Sequence, residues 1–157
     1  MGFKVYLPVA AIVFLVATTG ADVVAAMSIA GEPLATAMRE DLYWARVEFA
    51  GTLLLLAPFV VVACVCGLVE KYARTRSAAF IFAGAMLALL YFYFQGYQSA
   101  QHAAIQQMWT AAALSVGLLP FTVGAIVIFA AMVAGALAVR FDPRTSAQGG
   151  KQTLEGC

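Results

Sequence analysis

The chain of 157 residues is 64% hydrophobic and 11% charged. A soluble domain carries about 45–50% apolar and about 25% charged residues, so an apolar surface this large indicates a lipid environment. A net charge of +1 gives no electrostatic reason to expect nucleic acid or an acidic partner.

Four apolar runs are long enough to cross a bilayer as helices, which takes about 20 residues each. They extend over roughly residues 5–30, 47–69, 78–97 and 112–139. The runs are continuous rather than alternating, which favours helices over a barrel. The sequence therefore predicts an all-α integral membrane four-helix bundle, with four transmembrane helices in a single domain over residues 1–140.

The segments between these runs predict a short helical cap on the outer side of the bundle. Residues 36–46 read as a charged helix, and residues 98–110 as a helical extension of the third run. The polar stretch 141–157 is predicted to be a disordered cytoplasmic tail.

Orientation follows from the positions of lysine and arginine. Of the nine such residues, Arg39 and Arg46 lie in the first connection, and the others lie at the N-terminus, in the second connection and in the tail. Positive residues favour the cytoplasmic side, so both termini are predicted to be cytoplasmic. The short connections and alanine-rich runs favour a bacterial inner membrane.

Small residues recur every seven positions in the fourth run: Gly117, Gly124, Ala131 and Ala138. This spacing places them on one helix face, where they allow another helix to approach closely. Pro58 and Pro120 fall inside the second and fourth runs and are expected to bend them.

Polar side chains cluster toward the outer ends of the runs and predict an outward-facing polar seam. The candidate ligand-binding residues are Asp22, Glu48, Tyr93, Gln95, Tyr97, Gln98 and His102. An ionisable residue within a span is costly and suggests function. Asp22 could also be a solvated interface residue, or form a structural hydrogen bond to Gln95 or to a neighbouring helix. The tyrosines could form an interfacial aromatic belt or a stacking surface for a lipid-like ligand.

No cofactor, metal site or catalytic constellation is expected. His102 is the single histidine, and it would need Asp22 and Glu48 to converge on it before it could hold a metal. Cys64 and Cys66 point to different sides of a helix and read as apolar fillers.

Residues 93–101, with the sequence YFQGYQSAQ, resemble the end of the third span in the eicosanoid and glutathione-metabolism membrane proteins known as MAPEG. The resemblance implies four spans, a trimer and glutathione chemistry. The arginine–asparagine–glutamate pattern at the start of that family's second span is absent, because Arg46 is followed by Ala50 and Leu53 at those spacings. The later catalytic arginine also has no counterpart between Gln98 and Trp109.

Two readings of function remain open. In the first, the protein is a non-enzymatic accessory or assembly subunit, or an immunity-type partner, of another membrane protein. In the second, it is an enzyme or carrier that binds a lipid or small molecule in the polar seam. The expected partners are membrane lipids and either another membrane protein or a second copy of the chain, with no nucleic acid.

Overall fold

The computed structural model describes residues 3–47 and 49–141, which form five helices. Their bounds are Lys4–Ala30 (α1), Leu34–Val47 (α2), Phe49–Tyr72 (α3), Thr75–Ile105 (α4) and Trp109–Phe141 (α5). All except α2 are long and apolar enough to cross a membrane. The prediction of an all-helical chain with four long apolar helices is confirmed. The predicted tail, apart from Phe141, lies outside the described residues.

The α1–α2 connection is set by its glycine and proline. Gly31 adopts a left-handed backbone with a φ of 72°, the conformation that commonly ends a helix and that glycine adopts without steric cost. The Glu32 N–H donates to the Ala26 carbonyl oxygen at 3.2 Å, and Pro33 accepts from the Thr36 N–H at 2.9 Å. The chain therefore turns back at once, and α2 lies beside the end of α1.

The α3 and α4 helices pack against each other, and each of them also contacts α1 and α5. The outer two helices therefore lie on opposite sides of the α3/α4 pair. Aromatic rings in edge-to-face contact join three of the helices. Phe59 of α3 lies 5.5 Å from Phe14 of α1 and 5.1 Å from Tyr93 of α4, measured between ring centroids.

The small-residue face of α5 packs mainly inside the chain. A Cβ at Gly124 would lie 2.6 Å from Pro58 Cγ, so α3 and α5 approach closely there. Ala131 is buried, and Ala138 packs against the cluster of buried residues around Val69. Gly117 is exposed, with nothing within 4 Å of an added Cβ.

Two of the long helices contain π-helical turns, in which hydrogen bonds join residues five apart. Those of α1 lie at Val16–Gly20 and Ala26–Ala30, and that of α5 lies at Pro120–Gly124. In α5 the change of helix type begins at the proline for which a bend is predicted. No comparable sequence signal marks the two turns of α1.

Candidate functional site

A cavity of about 440 Å³ lies at the end of the bundle where α2 is found, called here the cap end. It lies between α1, α2, the first turns of α3 and the first part of α5, with Tyr97 of α4 also lining it. The wall from α5 consists largely of small residues, including Ala112, Ala113 and Gly117. Their short side chains leave the space that larger residues would fill.

The inner part of the cavity is apolar. Phe14, Leu55, Val116 and Pro120 line it. Directly beneath, the buried Tyr93 hydroxyl donates to the Leu55 carbonyl oxygen at 3.0 Å. This bond fixes α4 to α3 at the floor of the cavity.

The outer part of the cavity carries two carboxylates, from Asp22 and Asp41. The Gln101 side-chain amide donates to Asp22 Oδ1 at 3.4 Å, which is a long hydrogen bond. Thr19 hydrogen-bonds to the Asp41 carboxylate. The second oxygen of Asp41, Oδ2, is buried and has no hydrogen-bond partner among the described residues.

The surroundings of Asp41 change its acidity. Burial raises the pKa of this carboxyl above its ordinary value, and the hydrogen bond to Thr19 partly opposes that rise. A positive group placed beside Asp41 would favour its ionised form, because opposite charges in a partly buried site interact more strongly than they do in water.

Pro58 leaves one backbone acceptor of α3 without its usual α-helical donor. Pro58 has no N–H, so the carbonyl oxygen of Leu54 lacks the donor that an α-helix normally supplies four residues later. Leu54 lines the cavity. No lysine, arginine or histidine lies among the described residues that line it. The described residues also contain no cluster of three or more side chains suited to a metal ion.

The structure brings together some of the predicted site residues and separates others. Asp22 and Tyr97 line the cavity, and Tyr93 supports its floor. Gln95 and His102 are exposed and do not line the cavity. Gln98 is half-buried and does not line it either. The hydrogen-bond partner of Asp22 is Gln101 of the neighbouring helix α4 rather than Gln95. Glu48 lies outside the described residues.

Sequence reasoning missed Asp41 as a lining residue because it assigned residues 36–46 to a cap on the outer side, and it also missed Thr52 of α3. One signal could have found Asp41. It lies four residues after Ala37, which is on the same helix face and packs in the buried cluster with Val23 and Ala26 of α1. The face of α2 that turns toward the bundle therefore carries a carboxylate.

A second buried carboxylate lies at the opposite end of the bundle. Glu70, which the sequence places in a basic turn, belongs to α3 and is only 6% exposed. Its carboxylate lies beside the hydroxyls of Tyr6 and Thr75. These neighbours belong to α1 and α4, so Glu70 joins three helices at this end.

Comparison with protein families, with curated proteins and with solved structures finds no match for this chain. The resemblance to MAPEG proteins therefore rests on residues 93–101 alone. Of the two tyrosines in that segment, Tyr97 lines the cavity and the buried Tyr93 lies at its floor. The function of this chain is therefore inferred from the geometry of the site and not from a related protein.

Proposed function

We propose that this chain is an integral membrane protein that binds a small amphipathic molecule in the cavity at its cap end. The α1, α3, α4 and α5 helices would cross the bilayer, since each contains a stretch with a mean hydropathy of 1.9 or more. The distribution of lysine and arginine would place the cap end outside a bacterial inner membrane and both termini in the cytoplasm.

The observation that carries this proposal is the cavity itself. Ligand sites are typically about 300–1,000 Å³ in volume, mostly apolar, with a few polar groups that fix orientation. At about 440 Å³ this cavity falls within that range, and it has room for roughly 15 groups the size of a water molecule. An apolar floor below a polar rim suits a molecule with an apolar body and a polar head.

The other reading, an accessory or immunity-type subunit, relied in the sequence on the small residues of α5, on the absence of a catalytic constellation and on the lack of polar residues in the inner halves of the spans. The contacts of Gly124, Ala131 and Ala138 within the chain account for that spacing without a partner. No described surface favours a particular protein partner in their place. The cavity is therefore the stronger basis for a function.

The test compares two substitutions that are sterically alike. Gly117 lines the cavity, whereas Gly84 of α4 is exposed elsewhere, and neither has an atom within 4 Å of an added Cβ. Gly117→Leu should occupy the cavity, and Gly84→Leu should add the same side chain to the outer surface of α4. Both replace glycine in a helix, so the change in helix propensity is matched.

The protein would be reconstituted in phosphatidylcholine nanodiscs and photolabelled with diazirine-bearing analogues of decanol and decylamine. Adducts would be mapped by mass spectrometry, with labelling near the exposed Phe129 as the internal reference for lipid-facing surface. We expect at least one probe to label cavity residues, and Gly117→Leu to reduce that labelling severalfold while Gly84→Leu does not. Equal labelling of the cavity in both variants, or none in the wild type, would reject the proposed function.

A further inference from the structure

The cavity offers a ligand mainly hydrogen-bond acceptors rather than donors. Two acceptors of the cavity lack a full complement of donors: the Asp22 carboxylate and Oδ2 of Asp41. Acceptors in a partly buried site are costly when they remain unpaired. A ligand that supplies donors would remove that cost.

The donors of the cavity are mostly engaged already. The Thr18 hydroxyl donates to the Phe14 carbonyl oxygen at 2.9 Å, within its own helix. Thr19 is engaged with Asp41, and the Gln101 amide with Asp22. A ligand whose head is an anion or a pure acceptor would therefore meet few donors and two carboxylates.

The charges around the cavity have the same sign. Asp22 and Asp41 both line it, and Glu32 and Glu40 add to the negative potential at Asp22. No lysine or arginine from the described residues lines the space between them. A cation placed there would be attracted by several carboxylates, because water penetrates such a site less than it does an open surface.

We propose that the ligand is an amine-bearing amphiphile whose protonated nitrogen lies between Asp22 and Asp41 and whose apolar body covers Phe14 and Leu55. This inference rests on the proposed function and adds the chemical class of the ligand. A primary ammonium has three N–H donors, enough to hydrogen-bond both carboxylates at once. A chain of about ten carbons fits the volume, given roughly 15 water-sized groups.

The experiment compares the two photolabelling probes with each other in the same nanodiscs. The decylamine and decanol analogues share their apolar body and diazirine, and differ in the head group. The measured quantity is cavity labelling by the amine divided by cavity labelling by the alcohol, each relative to labelling near Phe129. Because this ratio is taken within one variant, a partial loss of folded protein does not change it.

We expect the wild type to favour the amine by about tenfold, the ratio that a charge-assisted hydrogen bond produces. Asp22→Asn and Asp41→Asn should each lower the ratio severalfold. Glu40→Gln is the matched control: it removes the same charge from an exposed position beside Asp41 that does not line the cavity, so it should lower the ratio much less than Asp41→Asn does.

The outcomes separate the two proposals. If both probes label the cavity equally, or if Glu40→Gln lowers the ratio as much as Asp41→Asn does, the amine inference is overturned and amphiphile binding stands. If neither probe labels the cavity in the wild type, or if Gly117→Leu changes nothing, both proposals fail.

Discussion

The close approach of α3 and α5 gives a stability prediction whose sign can be worked out from the structure. A methyl group at Gly124 would lie 2.6 Å from Pro58 Cγ and 3.1 Å from Pro58 Cβ. Carbon atoms in contact are normally about 3.5–4.0 Å apart, so the two helices must separate by several tenths of an ångström or more. The Pro58 ring cannot rotate away, because it is closed on its own backbone and buried.

Two opposing terms decide the result of Gly124→Ala. Overpacking at a well-packed contact costs about 1–3 kcal/mol, while replacing glycine by alanine in a helix gains up to about 1 kcal/mol. Gly84→Ala gains the second term without the first, because nothing lies within 4 Å of its added Cβ. We therefore expect Gly124→Ala to be less stable than Gly84→Ala by about 1–3 kcal/mol.

Unfolding would be measured by titrating sodium dodecyl sulfate into mixed micelles. The thiol of Cys66 is fully buried, so its modification by a maleimide, quantified on the Cys66 peptide, reports loss of the fold. Gly84→Ala should unfold at a higher detergent fraction than the wild type, and Gly124→Ala at a lower one than Gly84→Ala. If Gly124→Ala is as stable as Gly84→Ala, the two helices do not approach as closely as described.

The same assay checks three further substitutions. Tyr93→Phe removes the hydrogen bond at the cavity floor and should lower the free energy of unfolding by about 1 kcal/mol. Tyr91→Phe, at a 60% exposed position, should lower it little. Equal effects of the two substitutions would contradict the role of that bond. Gly31→Ala places a Cβ on a left-handed backbone and should destabilise by about 1–2 kcal/mol although it meets no neighbour, so an unchanged midpoint would argue against that conformation. Asp41→Asn should stabilise the protein at neutral pH. Burial raises the folded-state pKa of Asp41, so the folded chain binds the proton more tightly than the unfolded chain does. The stability of the wild type therefore falls as the pH rises from the unfolded-state pKa through the folded-state pKa. The gain should disappear below pH ~3.9, where Asp41 is protonated in both states, and a gain that persists there would have another cause.

The long helices could be predicted from the sequence because each is a continuous apolar run, and such a run needs no tertiary information to be recognised. The ends of these helices were harder to predict from the sequence. The α4 helix continues to Ile105 through glutamines and a serine, which are compatible with a helix but give no apolar signal. The predicted helical extension over residues 98–110 is confirmed as far as Ile105, but the sequence did not show that α4 ends there.

In the candidate site, too, some residues could be predicted from the sequence and others could not. Asp22 and Tyr97 could be found because a polar group is conspicuous in an apolar run. Asp41 and Gln101 lie in polar segments, where one more polar residue carries no information. Their part in the site depends on how α2 and the end of α4 lie against α1. That arrangement is decided by contacts such as that of Ala37 with Val23, of which the sequence gives only one sign, the four-residue spacing of Ala37 and Asp41.

The π-helical turn at Val16–Gly20 determines the angular phase of everything that follows it in α1. Phe14 and Asp22 are eight residues apart, and at 100° per residue an unbroken α-helix would point them about 80° away from each other. The π turn accommodates one additional residue, so the effective separation is closer to seven residues and both side chains reach the same cavity. Converting this turn to α-helical geometry without removing a residue would rotate Asp22 by about 100° away from Phe14. A change of that kind would leave the hydropathy of the span almost untouched while it took one of the two carboxylates out of the cavity.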